Sequence, residues 1–226
     1  MPLSMLIDWY ANTLVHKDTS MIVVSILAQK GGVGKSMLAR SLAVQGLLDG
    51  RKTALIDADP QGTVTAWSKR QQLNVPAVVA LGASTLAIVL AELQRKGADM
   101  VVVDTPPHAQ PIINLAAAAS DLALIVTGPY PEDLEQVGAV TGIVKNLGKP
   151  AAVVLNKTPP RSHALTLARS ALATFALPIC PTAITQLVTH PYASAEGLTA
   201  QEREPASKAA VELGEVWQWL RQQRMV

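Results

Sequence analysis

The sequence predicts an α/β fold, a doubly wound and mostly parallel sheet with helices on both faces. Three observations carry that prediction. From Met21 onwards, short apolar runs alternate with longer stretches of helical spacing, the pattern of successive βαβ units. The apolar runs are continuous in Val, Ile and Leu, as strands covered on both faces require. Most of these runs end in a glycine-rich or acidic segment, at the end where open α/β sheets bind ligands.

The elements follow in order. Strands are predicted at Ile22–Ala28, Thr53–Ile56, Met100–Val103, Leu122–Val126 and Ala151–Leu155, with a weaker one at Ala77–Ala80. Helices are predicted at Ser36–Asp49, Thr85–Lys96, Glu132–Asn146, His163–Thr174 and Pro205–Arg221. No internal repeat or linker separates them, so residues 21–226 read as one domain. Residues 1–20 carry Leu3, Leu6, Ile7, Tyr10 and Leu14 at helical spacing and read as an accessory or non-native leader. Asp8 interrupts the apolar stretch of that leader, which therefore lacks the order of a signal peptide.

Composition excludes several classes. With 49% hydrophobic and 16% charged residues in 226, the chain can bury a full core, and disorder is ruled out. Aromatics make up only 4%, so Ala, Val, Leu and Ile must build that core. The single cysteine, Cys180, leaves no disulfide framework and no thiolate metal site, which fits a cytosolic protein. A net charge of +2 does not by itself announce a nucleic-acid binder.

The loop after the first strand reads Gln29-Lys30-Gly31-Gly32-Val33-Gly34-Lys35-Ser36, followed by Met37-Leu38-Ala39-Arg40. Glycines let successive N–H groups turn toward phosphate oxygens, because they tolerate φ > 0 and close approach. The helix that follows adds the partial positive charge of its N-terminus. In this pattern Lys35 reaches the β- and γ-phosphates of ATP, and the Ser36 hydroxyl ligates Mg²⁺. Gln29 stands where the usual motif has its first glycine. The run Met100–Val103 ends in Asp104, and four apolar residues before an acid fit a carboxylate that holds magnesium.

Lys30-Gly31-Gly32-Val33-Gly34-Lys35-Ser36 resembles the deviant Walker-A motif of the ParA/MinD family of ATPases, closest to small plasmid-partition ParA proteins. The resemblance runs from residue 21 to the end. It implies that two ATP-bound subunits face each other and that Lys30 of each reaches the other's phosphates. Gly31, Gly32, Val33, Gly34, Lys35, Ser36 and Met37 would bind ATP, Met37 through its backbone N–H. Asp57-Ala58-Asp59-Pro60-Gln61-Gly62 looks like the family's Asp-x-Asp-Pro-Gln-Gly element. By that likeness Asp59 positions the attacking water, and Asp57 supports the magnesium shell and the loop. Thr105-Pro106-Pro107 resembles a switch that responds to the γ-phosphate, and Asn156 stands where relatives recognise adenine.

The resemblance further implies a homodimer formed on ATP binding, non-specific DNA as the matrix, and a centromere-binding or cargo adaptor as partner. The expected setting is cytoplasmic and nucleoid-associated. Candidate DNA contacts are Arg161, Arg169, Arg203, Lys208, Arg221 and Arg224. A MinD-like membrane cycle is the alternative, since Leu213, Val216, Trp217 and Leu220 form an apolar stripe near Arg221 and Arg224. That stripe also fits a last helix packed on the sheet, the reading we favour over membrane contact. A further alternative is an ATP-assembled scaffold with little turnover.

Overall fold

A computed structural model describes residues 21–72, 76–81, 85–160 and 163–226. The leader reading of residues 1–20 and the candidate Arg161 lie outside the described residues. Six strands form one sheet: β1 Ile22–Leu27, β2 Thr53–Asp57, β3 Ala77–Ala80, β4 Met100–Asp104, β5 Leu122–Thr127 and β6 Ala151–Leu155. Their order is β3-β2-β4-β1-β5-β6, and every neighbouring pair is parallel. The fold class is therefore as predicted, and each strand ends within one residue of its expected place.

The continuous apolar runs have a direct structural reading. Successive side chains of a strand point to opposite faces, and here both faces are covered. Val24, Ile26, Leu55, Val102 and Leu124 belong to one buried cluster, whereas Val23, Leu27, Ile56, Val101 and Ile125 belong to the other. The first cluster is closed by α1 (Lys35–Leu48), α2 (Thr63–Ser68) and the last helix. The second is closed by α3 (Leu86–Arg95), α4 (Gln110–Ala119), α6 (Val137–Asn146) and α7 (Ala164–Ala173).

Several helices escaped the periodicity. The predicted Glu132–Asn146 helix is two elements, α5 (Pro131–Leu134) and α6. Helix α2, like α8 (Thr189–Ala195) and α9 (Ala200–Arg203), is too short to show an amphipathic period. Helix α4 ends in Ala116–Ala119, whose small uniform side chains give no contrast between faces. The last helix, α10 (Lys208–Gln222), starts where the Ser207 hydroxyl accepts the Ala210 N–H at 3.2 Å. Its stripe of Leu213, Val216, Trp217 and Leu220 is buried against the sheet at 2% exposure or less. Among the described residues no helix is long and apolar enough to cross a membrane.

Candidate nucleotide-binding site

Strand register assembles the site. Asp104 lies opposite Ile26 of β1 and opposite Asp57 of β2, so the two acidic strand ends meet beside the glycine-rich loop. The Thr105 hydroxyl donates to Ile26 O at 2.7 Å, and His108 N–H donates to Gln29 O at 3.1 Å. These bonds tie the segment after β4 to the base of the loop. Gly32 and Gly34 both have positive φ, 76° and 96°, and α1 begins directly at Lys35.

The loop opens into a cavity of about 940 Å³. Gly31, Gly32, Gly34, Lys35, Ser36 and Met37 form one side, and Asp59, Pro107, Asn156 and Lys157 form others. Lys35 is only 6% exposed, and its ammonium donates to the Lys30 carbonyl at 3.2 Å. Burial lowers its pKa, while the nearby Asp104 and Asp59 carboxylates oppose that shift.

The two acids behind the loop have different roles. Asp57 is saturated: its Oδ2 accepts from Thr65 N and Thr65 Oγ1, each at 2.7 Å, and its Oδ1 accepts from Asp59 N at 3.3 Å. It braces the loop and the start of α2. Asp104 is fully buried, and neither of its oxygens has a hydrogen-bond partner. Burial pushes its carboxyl up to about 7, and Asp57 and Asp59 push the same way. The Ser36 hydroxyl and Lys35 pull against this without closing a hydrogen bond to it.

A buried carboxylate with two free oxygens beside a hydroxyl fits magnesium, which takes one or two carboxylates and fills its shell from phosphate and water. Asp104 and Ser36 are the residues that would hold it. Asp59 lines the cavity, and its Oδ1 accepts the Gln61 N–H at 2.9 Å.

Other predicted residues sit less simply. Val33 is buried beneath the loop, where its carbonyl accepts from Asn156 Nδ2 at 2.8 Å. Asn156 thus lines the cavity while also bracing the loop. Lys30 turns away from the cavity and pairs with Asp133 Oδ1 at 2.6 Å. The described DNA candidates lie on different elements, Arg169 on α7, Arg203 on α9, and Lys208 and Arg221 on α10. Lys208 and Arg221 stand near opposite ends of α10, ~20 Å apart at 1.5 Å per residue. Arg169 donates to Cys180 O and Pro181 O. Arg203 pairs with Glu196 and Glu204, Lys208 with Glu212, and Arg221 with Asp49. Arg224 is exposed just past the helix.

The far wall of the cavity was not legible in the sequence. Arg40, His190 and Ser194 line it. The Arg40 guanidinium donates to Ser36 O at 3.0 Å and to Ser194 Oγ at 2.7 Å, and lies over the Trp67 ring. Burial lowers it to about 10. His190 Nε2 is buried without a partner, and burial lowers its pKa too. No spacing motif marks these residues, because they come from α1 and α8 and meet only in the fold.

Residues 24–198 match the family described as the CobQ/CobB/MinD/ParA nucleotide binding domain. The chain belongs to that family. Two relatives of this ParA/MinD-type domain are both named maintenance of carboxysome distribution protein A. The one from Gloeobacter kilaueensis is 34% identical over 181 residues, spanning 78% of this chain and 82% of the relative. The one from Halothiobacillus neapolitanus is 29% identical over 180 residues, spanning 75% and 82%. The fold of the domain is shared with the septum site-determining protein MinD of Pyrococcus horikoshii, solved with Mg-ADP. That structure matches at a TM-score of 0.75 and 19% identity, over 90% of this chain and 97% of that one.

Proposed function

We propose that this domain is an ATP-driven dimerising switch that binds DNA non-specifically in its ATP state and positions a plasmid or other cargo through an adaptor protein. One observation supports it most. Lys35 and Asp59 face one cavity, and the unpartnered Asp104 lies within electrostatic reach of both. That is the equipment for phosphoryl transfer, in which positioning and charge stabilisation do nearly all the work. Relatives named for carboxysome distribution support a cargo-positioning output.

In this reading the loop N–H groups and Lys35 cradle the phosphates, and Asp104 with Ser36 holds magnesium. Held there, magnesium would offset negative charge on the phosphates. Asp59 orients the attacking water, braced through Asp57. Lys30 supplies a cation to the partner subunit's phosphates, a contribution worth about 10³–10⁵ in rate when made by an arginine finger. DNA contact draws on Arg203 and Lys208, whose ion pairs with Glu196 and Glu212 can exchange for contacts with phosphate.

The test is co-sedimentation of the purified protein with DNA or with anionic liposomes, in ATP and in ADP. ATP-dependent retention on DNA that falls steeply with salt is the expected result. Retention on liposomes alone would transfer the reading to a membrane cycle, which the buried stripe of α10 argues against.

A further inference from the structure

We propose that Arg40 is a nucleotide-binding residue, whose guanidinium is folded back along α1 to meet the α-phosphate. The inference rests on the nucleotide reading of the cavity given above, and it adds a cation that the glycine-rich loop does not supply.

The side chain is built to reach back. Arg40 stands one helical turn after Ser36 on the same face of α1, and helical side chains lean toward the N-terminus. Its Nε donates to Ser36 O at 3.0 Å, which fixes the guanidinium near the level of Ser36 rather than of its own Cα. Nη1 donates to Ser194 Oγ at 2.7 Å, and the Trp67 ring lies 5.4 Å from the guanidinium carbon. The fork is thus held from three sides, and Arg40 still lines the cavity beside Ser36 and Met37.

Arg40 is 8% exposed, and among the described residues no carboxylate forms an ion pair with it. Its hydrogen-bond partners at Ser36 and Ser194 are a neutral carbonyl and a hydroxyl. A second cation converges on the same place, because Arg70 Nε donates to Ser194 O at 3.1 Å. Burial lowers the Arg40 pKa to about 10, with Asp104 opposing and Arg70 adding, so the group stays charged at neutral pH. Buried charges are ordinarily paired, and a buried cation that faces a cavity is completed by an anion bound there.

The loop N–H groups and Lys35 are already assigned to the β- and γ-phosphates, and Asp104 with Ser36 to magnesium. The α-phosphate is the anion they leave over, and the planar fork of a guanidinium matches phosphate oxygens. ATP and ADP carry the same α-phosphate, so Arg40 strengthens both alike. It retains the nucleotide without telling triphosphate from diphosphate.

Arg40→Gln removes the charge and keeps a polar side chain. Calorimetry should show ATP and ADP weakened by the same factor, about tenfold or more, the size of a lost charge-assisted hydrogen bond. Wild-type affinity for both nucleotides overturns the proposal. Loss for ATP alone overturns it as well, since that pattern puts the guanidinium on the γ-phosphate.

Phosphorus NMR of bound Mg-ADP separates contact from mere support of the cavity, and it also serves if Arg40→Gln fails to fold. Arg40→Lys keeps the charge and changes the donors. It should move the α-phosphorus resonance and leave the β-phosphorus resonance in place. An unmoved α resonance, or a β resonance that moves as far, overturns the proposal. Wild-type calorimetry keeps the two readings apart. If wild type binds neither ATP nor ADP, the nucleotide reading fails and takes this inference with it. If wild type binds both and Arg40→Gln binds them equally well, only the Arg40 contact is wrong.

Discussion

Asn156 at the exit of β6 donates to the Val33 carbonyl at 2.8 Å, and its Nδ2 lies 2.1 Å from where a Cβ on Gly34 would stand. The loop is therefore fastened from behind by a residue 123 positions away. Gly34 also has φ 96°, a conformation that costs other residues roughly 1–3 kcal/mol. Gly34→Ala should lower the melting temperature and abolish ATP binding in calorimetry. Asn156→Ala should cost about 1–3 kcal/mol, since it leaves a buried carbonyl unpaired.

Asp104 separates stability from metal binding. Its carboxylate is buried with no hydrogen-bond partner, an arrangement that costs folding energy when the group is ionised. Asp104→Asn should raise the nucleotide-free stability at pH 8 by about 1–3 kcal/mol in urea unfolding. The same variant should lose the magnesium-dependent part of ATP affinity. A variant that is less stable and still binds magnesium would assign the ion to other residues.

Lys35 and Asp59 face the same cavity but should fail differently. Lys35→Ala should weaken nucleotide binding by at least about tenfold, because it removes the buried cation at the start of α1 that would face the phosphates. Asp59→Ala should bind ATP normally and lose at least about tenfold in turnover, which leaves an ATP-bound dimer that size-exclusion chromatography can trap. Normal hydrolysis by Asp59→Ala would remove it from water positioning.

Helix α10 tests the membrane alternative. Leu220 is fully buried in the sheet-facing cluster. Leu220→Ala should cost about 2–5 kcal/mol in denaturant unfolding, the ordinary cost of a core leucine. A face reserved for lipid would show almost no loss.

His190 gives a pH dependence whose sign can be worked out. Burial lowers its folded pKa below 6.5, Arg40 adds to that, and Glu212 opposes it. A histidine that is harder to protonate when folded contributes stability that is fully present above its unfolded pKa. That contribution is lost as pH falls through the folded value. His190→Gln should therefore flatten the drop in melting temperature between about pH 7 and 5. An unchanged slope would show that His190 binds its proton equally well in the folded and unfolded chain.

By itself the sequence determined the parallel sheet, the phosphate loop and the acidic strand ends at Asp57 and Asp104. These signals are local: an apolar run a few residues long, glycines at fixed spacing, an acid just after a strand. Once β1, β2 and β4 lie in one parallel register, such residues must arrive at the same edge. Only the tertiary structure decided which of the two acids keeps free oxygens, since the Thr65 donors that saturate Asp57 come from a six-residue helix with no visible period. It also turned Lys30 onto Asp133, put Asn156 on Val33, and built the far wall from Arg40, His190 and Ser194. These contacts join residues about 100 or more positions apart in most cases, and no local spacing encodes such a meeting. The basic residues read as DNA contacts show the same limit, because their count is visible in the chain while the ion pairs that Arg203, Lys208 and Arg221 make are not.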